Sequence, residues 1–428
     1  MMNDKAKEGD LKGTSSKKLV PDLRFPEFEK NGEWGEKELH EIADRKIDKN
    51  KKNIKLPVLT NSAIYGVILQ KDYFDRTIVT NDNLVNYQIV ECNDFVYNPR
   101  ISAESPVGPI SRNKICLGIV SPLYTTFRFK EKKVDYFEYY FGTDVWHEFI
   151  KRRANYGARF DRINISTDDF FNLPIPYPSP AEQQKIADCL SSIDEEINAM
   201  KEKVEQLKAH KNGLMQKLFP AAGKLMSELR FPEFKKDWDI DFMQNIFDIK
   251  NGYTPSKSNP TYWDNGVIPW FRMEDIRRNG HILSDSIQHV TPQAVKDSGL
   301  FPAYSIIVAT TATIGEHALI IVDSLANQQF TFLTKRKSFE NKINMMYFHH
   351  YMFIIDEWCK KNTNSGGLIS VNMPAFKQIL ISYPSTAEQQ KIAECLSSID
   401  ELISLYENKV ALLEQHKKGL MQQLFPKL

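Results

Sequence analysis

Lys46, Lys49, Lys51, Lys52 and Lys55 form a basic run just ahead of Thr60-Asn61-Ser62. Arg100 closes an Asn98-Pro99-Arg100 turn that opens a polar loop reaching Gly108, and Arg159 and Arg162 follow Asn155-Tyr156-Gly157. Later in the chain come Lys257, Arg272, Arg277 and Arg278. Thr310-Thr311-Ala312-Thr313-Ile314-Gly315 then matches the 98–108 loop in position, and Asn372 follows Gly366-Gly367. Contact with a nucleic acid is one chemistry open to these residue types. Arginine matches the paired acceptors of guanine, asparagine and glutamine match the donor and acceptor of adenine, and lysine neutralises phosphates, which positions a protein without specifying a sequence. The candidates for nucleic-acid contact are therefore Lys51, Lys52, Asn61, Ser62, Asn98, Arg100, Arg159 and Arg162 in the first half. In the second half they are Lys257, Arg272, Arg277, Thr310, Thr311, Thr313 and Asn372. Each also has a plainer reading as a solvated or fold-supporting side chain. Trp263, Trp270 and Phe271 offer stacking surfaces but are equally the residues of a core.

Catalytic signatures do not accompany them. The chain contains no GxGxxG, no P-loop and no Gly-x-Ser-x-Gly elbow. Asn98-Pro99-Arg100 and Asn259-Pro260-Thr261 lack the second proline of the amino-methyltransferase motif. The nine histidines make no HExxH spacing, and the neighbours His349 and His350 point in different directions on an aromatic helix, which reads as a satisfied or surface role. Five cysteines without a CxxC pair read as reduced thiols of a cytosolic protein, with neither zinc nor a disulfide framework. A net charge of +1 excludes binding by bulk charge and leaves local patches. No apolar run approaches the ~20 residues of a membrane span. Residues 1–20 are a polar, disordered lead.

The elements that must position these residues are duplicated. Pro178-Ser179-Pro180-Ala181-Glu182-Gln183-Gln184-Lys185-Ile186-Ala187 returns at 384–393, Leu214-Met215-Gln216-Lys217-Leu218-Phe219-Pro220 at 420–426, and Leu23-Arg24-Phe25-Pro26-Glu27-Phe28 at 229–234, always at an offset of 206. Between 178–220 and 384–426, 29 of 43 positions are identical, whereas 35–175 and 239–381 share only scattered similarity. Ser179 and Ser385 stand at capping-box spacing from Glu182 and Glu388. Apolar residues then recur at alternating steps of four and three: Ile186, Leu190, Ile193, Ile197, Met200, Val204 and Leu207 in one copy. The other copy has Ile392, Leu396, Ile399, Ile403, Tyr406, Val410 and Leu413, and the stripes break at Lys211 and Lys417. This is a heptad seam on two rods of ~40 residues. A domain-sized segment joins the rods, and domain termini lie close together, so the rods are expected to run antiparallel.

The segments between read as mixed α/β units. Unit one has strands at Asp94–Pro99 and Leu117–Phe129 and a helix over Val134–Arg153. Unit two has strands at Ser305–Ala309, Ala318–Val322 and Gln329–Lys335 and a helix over Ile343–Lys361. The fold class is α+β, two mixed α/β domains separated by two long helices in an antiparallel intramolecular coiled coil with pseudo-two-fold repeat. The expected boundaries are 21–177 and 221–383 for the domains and 178–220 and 384–428 for the spacer helices.

The order Leu-Arg-Phe-Pro-Glu-Phe, variable unit, Glu-Gln-x-x-Ile-Ala helix, then all of it again, resembles a Type I restriction-modification specificity subunit. Asn251-Gly252-Tyr253-Thr254-Pro255-Ser256 with Tyr262-Trp263 and Gly266-Val267-Ile268-Pro269-Trp270 is similar to the opening of that family's target recognition domains. Unit one departs from this opening, having Leu56-Pro57-Val58 in place of Ile268-Pro269-Trp270 and no Gly-x-Thr-Pro run. The resemblance implies a non-catalytic subunit that binds a bipartite, asymmetric site in double-stranded DNA. It implies two methyltransferase subunits held on it, with two restriction subunits joined through them. It also implies that S-adenosylmethionine, ATP and magnesium are used by the partners rather than bound by this chain, in the cytoplasm and away from any membrane. The residues alone leave a second reading open, a duplicated coiled-coil adaptor presenting two protein-binding modules.

Overall fold

A computed structural model describes residues 19–73, 81–115, 117–155, 161–221, 224–364 and 369–427. Lead residues 1–18, Arg159, and the glycines of both expected Asn-x-Gly turns lie outside them. The chain forms two compact units, one of residues 1–200 with 409–428 and the other of residues 201–408. Each therefore takes the start of one long helix and the end of the other.

The rods are unbroken helices of 39 residues each, Pro180–Leu218 and Thr386–Leu424. Ser179 Oγ accepts the Glu182 N–H at 3.3 Å and Ser385 Oγ accepts that of Glu388 at 3.4 Å, which satisfies one orphan donor at each helix start. The glutamates do not reach back to complete a capping box. Glu182 is buried and takes a two-pronged bond from Arg24 (Nε 2.7 Å, Nη2 2.9 Å) and one from the Trp34 indole at 3.0 Å. Arg230 grips Glu388 the same way at 2.9 and 2.7 Å. Glu27 pairs with Lys185 at 3.1 Å and Glu233 with Lys391. The repeated hexapeptide is thus a clamp on the first turn of the rod. It also holds a rod end: Leu23 N–H donates to the Gln423 carbonyl at 3.0 Å and Leu229 N–H to that of Lys217 at 2.8 Å, occupying carbonyls that a helix terminus leaves open. The copies differ at the tryptophan, since the buried Trp238 indole has no hydrogen-bond partner.

Only part of the expected seam joins rod to rod. Ile186 and Leu190 enter the aromatic core of the first unit with Phe137 and Tyr140, and Ile392 and Leu396 enter that of the second with Tyr347 and Tyr351. Each domain packs on the opening turns of its own rod, so those stripe positions meet a domain. Val204, Ile399 and Ile403 form the helix–helix cluster, flanked by Leu207, Leu214 and Tyr406. Ile197 is buried, while Ile193, Val410 and Leu413 are half-buried. Cross-links fix the direction. In the second unit Lys211 meets Asp400 at 2.6 Å and Lys208 meets Glu407 at 2.9 Å; in the first, Lys417 meets Asp194 at 2.6 Å and Lys409 meets Glu196 at 2.9 Å. Numbers rise along one helix as they fall along the other, so the pairing is antiparallel in both units.

The two domains share a sheet plan. In the first, Gly35–Glu38 pairs with Pro174–Tyr177, and a four-stranded sheet has the order Ala43–Lys46, Thr125–Phe129, Phe95–Tyr97, Ile110–Arg112. In the second, Asp239–Phe242 pairs with Leu380–Tyr383. Phe247–Asn251, Phe330–Lys335, Ser305–Ala309 and His317–Ile320 follow the same order, with Ile282–Leu283 added as a fifth strand. The expected helix over 134–153 is two helices, Asp135–Phe141 and His147–Arg153, parted at Gly142, while its counterpart Met345–Lys361 is continuous. The run Leu117–Phe129 is two strands separated by a turn, Gly118–Val120 and Thr125–Phe129. Cys92 is disulfide-bonded, against the expectation of reduced thiols throughout; Cys189, Cys359 and Cys395 are free.

Candidate nucleic-acid interface

The registers Lys46↔Thr126, Tyr97↔Thr125 and Tyr97↔Ile110 place the basic run and the 98–109 loop at one end of the first sheet. The hairpin Leu59–Ser62/Gly66–Leu69 docks on that loop. Asn61 Nδ2 donates to the carbonyls of Val96 at 2.6 Å and Pro109 at 3.0 Å, and Asn98 Nδ2 donates to that of Asn61 at 2.9 Å. Ser62 Oγ accepts the N–H groups of Ile64 and Tyr65. Asn61 and Ser62 are buried; the Asn61 and Asn98 amides tie the loop to the hairpin, and the Ser62 hydroxyl closes the hairpin's own turn. Gly108 has φ +81° and a Cβ there would lie 2.1 Å from the Asn98 carbonyl oxygen, so the loop closes only around glycine.

Arg100 and Arg162 come together across a backbone bridge, with Ile101 N–H on the Asp161 carbonyl and Ile163 N–H on that of Pro99. The Arg100 side chain is 58% exposed and only 3.8 Å from Asp161, whereas Arg162 is more enclosed. Lys51 and Lys52 are exposed on the connection leaving the sheet. Arg112 and Arg128 are committed elsewhere, the first to Asp135 and Glu138, the second to Asp94 and Glu91, whose carboxylates push its pKa up. The hairpin tip exposes Ile64 and Tyr65, which the sequence had not singled out.

The second sheet has the corresponding end. Asn251↔Thr331 and Ala309↔Phe330 set it, and the 310–316 loop leaves from it. Thr310 is buried with its hydroxyl on Thr331 at 3.0 Å; half-buried Thr311 bridges Ser370, and Thr313 accepts the Glu316 N–H through its carbonyl. Half-buried Asn372 caps the short helix Met373–Lys377, its Oδ1 accepting from Ala375 N–H at 3.2 Å, so that oxygen helps hold the fold. Lys257 and Arg277 are exposed. Arg272 is one-quarter exposed, sits 5.9 Å over the Trp270 ring, meets Glu274 at 3.1 Å, and keeps a buried Nε without a partner. Trp270 and Phe271 are core, with Trp263 edge-on to Trp270. The Asn327-Gln328-Gln329 turn at this same end was missed, because the sequence shows no motif there; its place follows only from Phe271 pairing with Ala326.

His349 and His350 are buried rather than on the surface. Burial drives the pKa of His349 well below the imidazole range and that of His350 to about 3. No helix among the described residues is long and apolar enough to cross a membrane.

Residues 31–209 and 235–415 match the family model described as Type I restriction modification DNA specificity domain. The chain is 42% identical over 184 residues to the Type I restriction enzyme EcoprrI specificity subunit of Escherichia coli, covering 42% of this chain and 46% of that protein. It is 25% identical over 325 residues to the MjaVIII specificity subunit of Methanocaldococcus jannaschii, covering 72% and 73%. The first match spans less than half of its relative's length, as does a match of 29% identity to the MjaIX specificity subunit of the same archaeon. In fold, the chain is similar to the crystal structure of the Type-I restriction-modification system S subunit from M. genitalium, with a TM-score of 0.56 at 15% identity over 96% of this chain and 100% of that one.

Proposed function

The chain belongs to the Type I restriction modification DNA specificity family, and from that membership we propose that it reads a bipartite, asymmetric DNA target and holds two methyltransferase subunits, through which two restriction subunits join. One observation carries the reading. Two domains of the same sheet order bring different polar side chains to the same sheet end. A common frame with unlike tips suits two half-sites of unlike sequence. Arg100, Arg162, Lys51 and Lys52 would serve one half-site, and Lys257, Arg272 and Arg277 the other. Arg159, Thr311 and Thr313 remain candidates beside them.

The rods support the partner reading. Ala181, Ser192 and Glu195 are exposed, and so are their identical counterparts Ala387, Ser398 and Glu401. Exposed positions have no packing reason to stay alike when the domains diverge, so a partner that meets each rod in the same way fits them. The chain itself supplies recognition. S-adenosylmethionine, ATP and magnesium would be used by the partners, in the cytoplasm.

Methylome sequencing of the host with the gene intact and deleted tests this. Deletion should erase one bipartite motif with unlike halves, and the purified chain alone should neither methylate nor cut DNA. An unchanged methylome would favour the adaptor of protein-binding modules.

A further inference from the structure

We propose that Gln328 reads an adenine–thymine pair in the major groove and that Thr254 positions it; this rests on the reading of the chain as a DNA-specificity subunit. Strands Ile268–Phe271 and Leu325–Ala326 run parallel, with Trp270 opposite Leu325 and Phe271 opposite Ala326. Both end at the same level, so Arg272 and the Asn327-Gln328-Gln329 turn emerge together. The turn is rigid. Asn327 N–H donates to the Phe271 carbonyl at 3.0 Å, Gln329 N–H to Asn327 Oδ1 at 3.0 Å, and Asn327 Nδ2 to Gln329 Oε1 at 3.2 Å. From the other side Tyr253 N–H donates to the Ala326 carbonyl at 2.8 Å. A Cβ on Gly252 would lie 2.4 Å from that oxygen, so the Asn251–Thr254 segment can lie this close only with glycine.

Asn327 and Gln329 thus use their amides on each other, and both are half-buried. Gln328 is the exposed member of the three. The Thr254 hydroxyl donates to its Oε1. An amide oxygen has two lone pairs, so one acceptor site and both Nε2 hydrogens remain. A donor and an acceptor side by side are what adenine N7 and its amino group require. The anchor also removes rotamer freedom before binding, which lowers the entropic cost of the contact.

The test replaces the chromosomal gene with variants and sequences the methylome. The wild-type gene gives the baseline motif; its absence would overturn the DNA-specificity reading and this proposal together. Gln328→Ala should let one adenine–thymine position of one half-site accept other bases, with discrimination falling roughly tenfold or more. The remaining positions and the other half-site should persist, which also reports that the chain has folded. Gln328→Glu, acceptor-only, should move the preference at that position towards cytosine. Thr254→Val keeps the shape, frees the amide, and should loosen the same position more mildly. With the baseline motif present, an unchanged motif in both Gln328 variants overturns the proposal. If Gln328→Ala erases all modification, Thr254→Val decides: relaxation at one adenine–thymine position supports the assignment, and an unchanged motif overturns it.

Discussion

Lys211 Nζ lies 2.6 Å from both carboxylate oxygens of Asp400, and Lys417 makes the same contact on Asp194 at 2.6 and 2.7 Å. The two pairs are mates under the offset of 206 and stand where the apolar stripes break. A polar group at a seam position penalises every register in which it loses its partner. The break is therefore a lock on alignment rather than a defect in the heptads.

Asp400→Lys should lower the urea midpoint by setting two lysines face to face, and Lys211→Asp in the same chain should restore it. Asp400 is 43% exposed, so the coupling in a double-mutant cycle should be only about 0.5–1 kcal/mol. It should fade at high salt, as the Debye length shrinks to roughly 3 Å at 1 M. Additive effects of the two substitutions would remove the lock.

Arg24 and Glu182 are a different case, with side chains 8% and 2% exposed. Arg24→Ala leaves a buried carboxylate without its charge partner and should cost about 3–5 kcal/mol in denaturant unfolding. Arg24→Lys should recover only part, because one ammonium cannot reproduce the two-pronged grip.

The repeat made much of this legible. Identical blocks at one offset gave both rods, and alternating apolar spacing gave their pairing. Runs of β-branched and aromatic residues placed Ser305–Ala309 exactly as the strand found. Side-chain commitments were harder to read. Asn61 and Asn372 have the composition of base readers, but one braces a loop and the other caps a helix, and only tertiary neighbours distinguish the uses. Gln328 was missed for the converse reason, since its surroundings come from Thr254 and Phe271, distant in sequence. The start of each stripe misled because Ile186 and Ile392 meet a domain core, which periodicity cannot tell from a partner helix.

Substitutions at the first sheet end should therefore sort by burial. Asn61→Ala removes two donors to carbonyls and should lower stability by about 1–3 kcal/mol while leaving the recognised bases unchanged in the methylome. Arg100→Ala should leave thermal unfolding near wild type and relax one position, or weaken binding to all sequences if its contact is a phosphate. A shifted motif in Asn61→Ala would show that this amide reaches DNA.

Acid should weaken the second unit. Burial depresses His349 and His350, with Lys211 and His317 adding to the effect. Above the unfolded value of about 6.5 both states are neutral and nothing is gained or lost. Below it the unfolded chain takes up protons that the folded chain refuses, so stability falls, and for His350 it continues to fall until about pH 3. At pH 5.5 His350 should cost on the order of 1 kcal/mol relative to pH 7.5, and His349 acts in the same direction. Asp356, pushed up by burial, acts with the opposite sign but only nearer the carboxylate range. His350→Gln should reduce the slope of unfolding free energy against pH by about half a proton at pH 6.5, approaching one proton near pH 5. An unchanged slope would mean that His350 takes up its proton in the folded chain.

Exchange of residues 35–175 for the corresponding unit of a relative should change one half-site and spare the other. The cut points spare the clamp, while the pairing of Gly35–Glu38 with Pro174–Tyr177 is rebuilt across the junction. Arg24, Glu27, Glu182 and Lys185, the members of the clamp, lie outside the exchanged segment, as do Asp194 and Lys417. What the donor must supply is a matching inner face. Ile186, Leu190, Leu424 and Phe425 pack against Tyr136, Phe137 and Tyr140, and Tyr139 donates to Asp194 at 2.9 Å. A donor with small residues at those positions would leave cavities costing about 3–5 kcal/mol per lost aromatic and should fail to fold, so the donor is chosen for aromatic residues there. With such a donor, the hybrid strain's methylome should show a new half-site joined to the original one. A change in both halves would mean that reading is shared between the domains and that the unit cannot be exchanged as a module.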